Sequence, residues 1–116
     1  MESIILAGAG GALGSLLRYE CSKLQPIRGI PAGTLLVNVL GSFIFGVIVF
    51  LPAPSDLFYL MGIGAMGGFT TFSTFSYETF RMIENHDYYT MLENILFNGA
   101  GSILGAAAAF LVCTLI

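Results

Sequence analysis

The sequence predicts an all-α membrane protein of four transmembrane helices, the third of them broken at its centre. Three observations carry this reading. Of 116 residues, 56% are hydrophobic and 9% charged, against about 25% charged in soluble domains, so a water-facing surface could not be covered. Four apolar runs separated by short polar breaks each approach the roughly 20 residues that a helix needs to cross a bilayer. The third run contains Gly67-Gly-Phe-Thr-Thr-Phe-Ser-Thr-Phe-Ser76, and glycine and β-branched residues both rank low in helix propensity. The composition excludes a soluble enzyme and a disordered tail. With four Lys+Arg in all, no basic stripe exists for nucleic acid.

The first span covers about residues 3–20 and is uncharged until Arg18. No Lys or Arg precedes it, whereas a cleaved signal peptide opens on a basic region, so the segment is expected to remain in the mature protein. Lys23, Gln25, Pro26, Arg28, Gly29 and Pro31 end it. The second span, 33–51, carries no charge, and Pro52-Ala-Pro54-Ser-Asp56 turns the chain tightly into the third. The third span, 57–80, is uncharged until Glu78, and Arg81 to Tyr89 separates it from the fourth, 94–116. Every connection is short, so residues 1–116 form a single four-helix domain with both termini on one side.

Each span carries small residues four apart: Gly10 and Gly14, Ser42 and Gly46, Gly64 and Gly68, Gly101 and Gly105. Such pairs let helix backbones approach closely in lipid. Four short helices also enclose little interior, which favours an oligomer. Cys21, Cys113 and His86 lack the spacing of a zinc site. The two cysteines end spans one and four, on opposite membrane faces, so they read as separate thiols in apolar surroundings.

The polar residues inside the spans carry the chemistry. A break near Gly67–Thr70 would free backbone carbonyls at membrane depth, tolerated only where protein or a water-filled cavity surrounds them. Freed carbonyls and hydroxyls are hard ligands suited to sodium. The alternative is a continuous helix whose Ser and Thr hydroxyls bond back to the preceding turn. Phe69, Phe72 and Phe75 share a helical face. They are either ordinary lipid-facing or core rings, or rings whose electropositive edges contact an anion beside the hydroxyls of Thr71, Ser73 and Thr74. Asn38, flanked by Thr34 and Ser42, and the line Asn94, Asn98, Ser102 are either interhelical glue or walls of a polar pathway. Arg18 either snorkels to the interface or builds a positive vestibule that concentrates anions. Glu78 is either a helix-end charge or a pathway residue.

Three motifs resemble the Fluc (CrcB-type) fluoride channels: Gly14-Ser-Leu-Leu-Arg18-Tyr19, Gly33-Thr-Leu-Leu-Val-Asn38-Val-Leu-Gly-Ser42-Phe, and the third-span segment from Gly67 to Ser76. The resemblance covers essentially the whole chain. It implies an antiparallel, dual-topology homodimer in the prokaryotic plasma membrane, with two pores giving passive export of fluoride from the cytoplasm. It further implies a structural sodium ion at the dimer interface, held by the carbonyls of Gly67 and Thr70. The implied fluoride pathway comprises Asn38, Phe72, Ser73, Thr74, Phe75, Asn98 and Ser102, with Arg18 and Glu78 at the vestibule or pore mouth. Fluoride holds water tightly, so a pore must replace that water with neutral contacts, strong enough for entry and weak enough for exit.

The rival function is a four-span proton-coupled multidrug exporter, which needs an acidic residue in mid-membrane. Here Glu2, Glu20, Asp56, Glu78, Glu84, Asp87 and Glu93 sit at span ends or in loops. A non-transporting assembly subunit would leave the in-membrane polar lines without a use. Orientation sets two arguments against each other. Lys23, Arg28 and Arg81 lie on one side, and this bias favours both termini outside. An antiparallel homodimer needs both insertions, whereas a heterodimer would pair this chain with an oppositely oriented paralogue. The presence of Phe72, Phe75, Asn38 and the glycine break in one chain favours the homodimer.

Overall fold

The computed structural model describes residues 2–116, and among these there is no strand, only a two-residue bridge between Ile27 and Ile30. Helix α1 is Glu2–Cys21 and α2 is Ala32–Phe50. Helix α3 is the run 55–69, wound through Phe58–Met66 as a π-helix. Helix α4 is Phe72–Glu84 and α5 is Tyr88–Leu115. Two of these, α2 and α5, are long and apolar enough to cross a membrane unaided. Helix α1 is diluted by Gly8, Gly10, Gly11 and Gly14 and carries Glu2, Arg18 and Glu20. The run from 55 to 84 is split at Thr70–Thr71. The molecule measures 47 × 32 × 19 Å, its long axis matching a bilayer with headgroups, about 40–45 Å.

The loops are tighter than the sequence implied. The polar segment Arg81–Tyr89 is helical at both ends, leaving only 85–87 between α4 and α5. The Asp87 side chain accepts the Thr90 N–H at 3.2 Å, so α5 starts at Tyr88 rather than near Asn94. Helix α4 ends in a Schellman motif: the Asp87 N–H donates to the Met82 carbonyl (2.9 Å), the His86 N–H to the Ile83 carbonyl (3.0 Å), and His86 takes φ +58°. Between α1 and α2, Ile27 and Ile30 exchange two hydrogen bonds of 2.9 Å around Arg28 and Gly29, whose φ values are +56° and +82°. Only Gly29 adopts such a value without steric cost.

Packing follows the small residues. Helix α1 lies against α3 so closely that a Cβ on Gly14 would collide with the Ala65 carbonyl, and one on Gly68 with the Gly11 carbonyl. Helix α2 lies against α5 in the same way: a Cβ on Gly105 would sit 2.8 Å from the Val39 carbonyl, and one on Gly46 2.7 Å from the Ala109 Cβ. The small-residue pairs are therefore spent within one chain, and any case for an oligomer has to rest on other surfaces. The buried cluster is small, formed by Val37, Ala65, Met66 and Phe69. Large apolar side chains such as Ile4, Ile103, Leu104 and Leu115 point outward. This inversion, small inside and large outside, suits a lipid surround, where helix association rests on close contact rather than on hydrophobic expulsion. Cys21 and Cys113 are both free thiols.

Candidate functional site: a groove built on the helix break

At Thr70 (φ −77°, ψ 157°) and Thr71 (φ −150°, ψ 116°) the backbone is extended between α3 and α4. Asn38 holds Thr71 from both sides. Its Oδ1 accepts the Thr71 N–H at 2.8 Å, and its Nδ2 donates to the Thr71 carbonyl at 3.0 Å. The Thr71 hydroxyl accepts the Thr74 N–H at 3.1 Å, capping α4. In an unbroken helix the Thr71 N–H would bond the Gly67 carbonyl, and the Thr74 N–H the Thr70 carbonyl. Side chains divert both donors, so both carbonyls are left as acceptors. Thr70 is itself fixed by its N–H and its hydroxyl, each 3.0 Å from the Met66 carbonyl. Its methyl fills a notch that exists because residue 41 is glycine: a Cβ there would collide with it.

A chain of hydrogen bonds runs from the break into α5. Asn38 Nδ2 donates to Asn98 Oδ1 at 3.1 Å, and Asn98 Nδ2 to Asn94 Oδ1 at 3.1 Å and to the Asn94 carbonyl at 3.0 Å. Asn94 Nδ2 donates to Thr79 Oγ1 at 3.1 Å, and Thr79 Oγ1 to the Phe75 carbonyl at 2.7 Å. Asn94 and Asn98 are buried, 1% and 5% exposed. An amide at such depth is costly without partners, and here each has them.

These elements wall a cavity of about 680 Å³. It brings together seven of the residues that the resemblance assigns to the fluoride pathway or the sodium site: Asn38, Gly67, Thr70, Phe72, Phe75, Asn98 and Ser102. Ser42 and Thr71 join them, and no lining residue is charged. The rings of Phe72 and Phe75 are 5.8 Å apart and tilted by 49°. Phe72 is 79% exposed, so the groove is open along its side. Ser102 and Ser42 make no side-chain hydrogen bond among the described residues, so their hydroxyls are free to serve a guest. The donors of Asn38 and Asn98 are already engaged, which makes these amides the frame of the groove.

A second cavity of about 130 Å³ holds Arg18, Ser22, Gly33, Thr34, Val37, Thr71 and Thr74. Thr71 lines both cavities and is the wall between them. Thr74 thus joins Arg18 rather than the rings. Ser73 is exposed, its hydroxyl 3.3 Å from that of Thr71. Glu78 reaches neither cavity: its carboxylate lies beside Thr34, and its Oε1 is buried without a hydrogen-bond partner. Sequence reasoning named Thr71 as a hydroxyl beside the rings and Asn94 as part of a polar line, but not the cap that Thr71 makes for α4 or the bond from Asn94 to Thr79. It passed over Thr79, which gives no sequence signal of its own. Among the described residues no cluster of His, Cys, Asp or Glu is arranged to hold a metal.

A family model described as "CrcB-like protein, Camphor Resistance (CrcB)" matches residues 5–113. The chain is 43% identical to "Fluoride-specific ion channel FluC 1" of Methanosarcina barkeri, over 99% of this chain and 100% of that protein. It is 44% identical to "Fluoride-specific ion channel FluC 3" of Methanosarcina acetivorans, over 95% and 100%. It is also 40% identical to "Fluoride-specific ion channel FluC" of Methanocaldococcus jannaschii, over 90% and 88%.

Proposed function

The chain belongs to the CrcB-like family, and from that membership we propose that it is a fluoride-specific ion channel of the plasma membrane that exports fluoride passively and so confers fluoride resistance. It is a transport protein and not an enzyme. The observation that carries this reading is the uncharged groove, where two phenylalanine rings and the free hydroxyls of Ser42 and Ser102 line one wall system. Ring edges and hydroxyls favour a small anion, and without a full positive charge the ion is not trapped. Arg18, across Thr71 in the smaller cavity, raises the local anion concentration at the entrance. A proton-coupled exporter needs an acidic residue on its pathway, and none lines this groove.

The same reading has four spans, α1, α2, the broken pair α3–α4, and α5, in an antiparallel dual-topology homodimer. The open groove, with Phe72 79% exposed, calls for a cover, and a second inverted copy supplies one. Gly67 and Thr70 would hold a structural sodium ion through their carbonyls at the dimer axis, where the ion would neutralise acceptors that have lost their helical donors. The test is efflux from liposomes loaded with potassium fluoride or potassium chloride, read with ion-selective electrodes and with valinomycin present. Fluoride should leave and chloride stay. Fluoride retained in the vesicles would end this reading.

A further inference from the structure

Two buried residues, Asn94 and Thr79, lie outside both cavities yet stand on the path between the helix break and the pore ring. Five hydrogen bonds run in one direction: Thr71 N–H to Asn38, Asn38 to Asn98, Asn98 to Asn94, Asn94 to Thr79, and Thr79 to the Phe75 carbonyl. Head-to-tail chains polarise and strengthen one another. The chain also decides which backbone groups are left over, because its first bond takes the N–H that Gly67 would otherwise receive. Its last bond fixes the carbonyl of the residue whose ring lines the groove. Between those ends, Asn94–Thr79 is the only side-chain hydrogen bond joining α4 to α5 among the described residues.

Resting on the fluoride-channel reading, we infer that Asn94 and Thr79 are positioning residues for conduction: their bond docks α4 on α5 and so sets where the Phe75 ring stands in the groove. Thr79 is suited to this because its hydroxyl acts twice, donating to Phe75 at 2.7 Å and accepting from Asn94 at 3.1 Å. Valine has the same shape and can do neither, and it would strand the Nδ2 of Asn94, a residue only 1% exposed. An unpaired buried amide drives local rearrangement, and the element free to move is α4, whose outer face carries exposed Phe72, Tyr77 and Phe80.

The experiment uses the full chain carrying 4-fluorophenylalanine at position 75 or, as a remote reference, at position 110, where the ring packs edge-on against Phe50 at 5.3 Å. Fluorine NMR in detergent and fluoride efflux from liposomes are recorded for Thr79→Val and Thr79→Ser. The expected result is that Thr79→Val moves or splits the position-75 resonance, leaves the position-110 resonance in place, and slows efflux at least about tenfold. Thr79→Ser restores both. An unmoved position-75 line with unchanged efflux would overturn the inference, as would equal disturbance at both positions, which would mean general unfolding. Should Thr79→Val fail to fold, the smaller Thr79→Ala, which removes the same hydroxyl and leaves room beside the Asn94 amide, is held to the same criteria. If the unsubstituted protein releases no fluoride, the channel reading fails, while the two resonances still decide whether Thr79 positions the ring.

Discussion

On the sodium site proposed above, replacing Asn38 with leucine should close the helix break and abolish stabilisation by sodium. The substitution removes three hydrogen bonds, of 2.8, 3.0 and 3.1 Å, to Thr71 and Asn98. Side-chain hydrogen bonds in membrane proteins average about 0.6 kcal/mol, so the direct loss is about 2 kcal/mol, on the order of 30-fold in an equilibrium constant. The larger effect is a change of partner. The Thr71 N–H, no longer held by Oδ1, returns to the Gly67 carbonyl, where an unbroken helix would place it. That carbonyl is then unavailable to a cation. Asn38→Gln is the control, because its amide keeps both an acceptor for the Thr71 N–H and a donor for the Thr71 carbonyl. The assay is thermal unfolding in detergent, titrated with sodium chloride against choline chloride. A ligand at 100 times its dissociation constant stabilises by about 2.7 kcal/mol. The unsubstituted protein and Asn38→Gln should therefore show a clear sodium-dependent rise in Tm, and Asn38→Leu none. An undiminished sodium response in Asn38→Leu would refute the exchange of partners.

Phe72→Ile and Phe75→Ile keep apolar bulk but remove the ring edges, so fluoride efflux should fall at least about tenfold while the size-exclusion profile is unchanged; wild-type efflux in both would take the rings out of the pathway. Gly14→Ala should destabilise by about 1–3 kcal/mol through overpacking, since its Cβ would meet the Ala65 carbonyl. Gly67→Ala, where nothing lies within 4 Å of a new Cβ, should fold normally, and equal Tm losses for the two would contradict the packing described. Single cysteines placed at Leu24, in a background lacking Cys21 and Cys113, should be labelled from outside intact cells in about half of the copies. Labelling of a small minority or of nearly all would exclude a dual-insertion homodimer and call for an oppositely oriented partner.

The sequence alone determined the helical class, the positions of α1 and α2, and part of the polar and aromatic lining of the groove. Length and hydropathy act locally: an uncharged run such as 33–51 becomes a helix whatever it packs against. The segment 67–76 announced a problem for helix continuity because glycine and threonine are weak helix formers wherever they occur. Tertiary structure decided what that problem became. Whether the Thr71 N–H bonds Gly67 or a side chain depends on Asn38, 33 residues away, and on Gly41 making room for the Thr70 methyl. The same holds for the roles of the polar residues. Asn38 and Asn98 read equally as glue or as pathway, because an amide's chemistry is the same in both. Only the positions of Thr71, Asn94 and Thr79 show that their donors are engaged, leaving rings and serine hydroxyls to face the open space. Phe69 stands three residues before Phe72, as Phe72 does before Phe75, but the extended backbone at Thr70–Thr71 resets the helical phase of α4, so Phe69 packs in the core while Phe72 and Phe75 line the groove. A break sets that phase through two backbone angles per residue, and periodicity counted through the break cannot contain it.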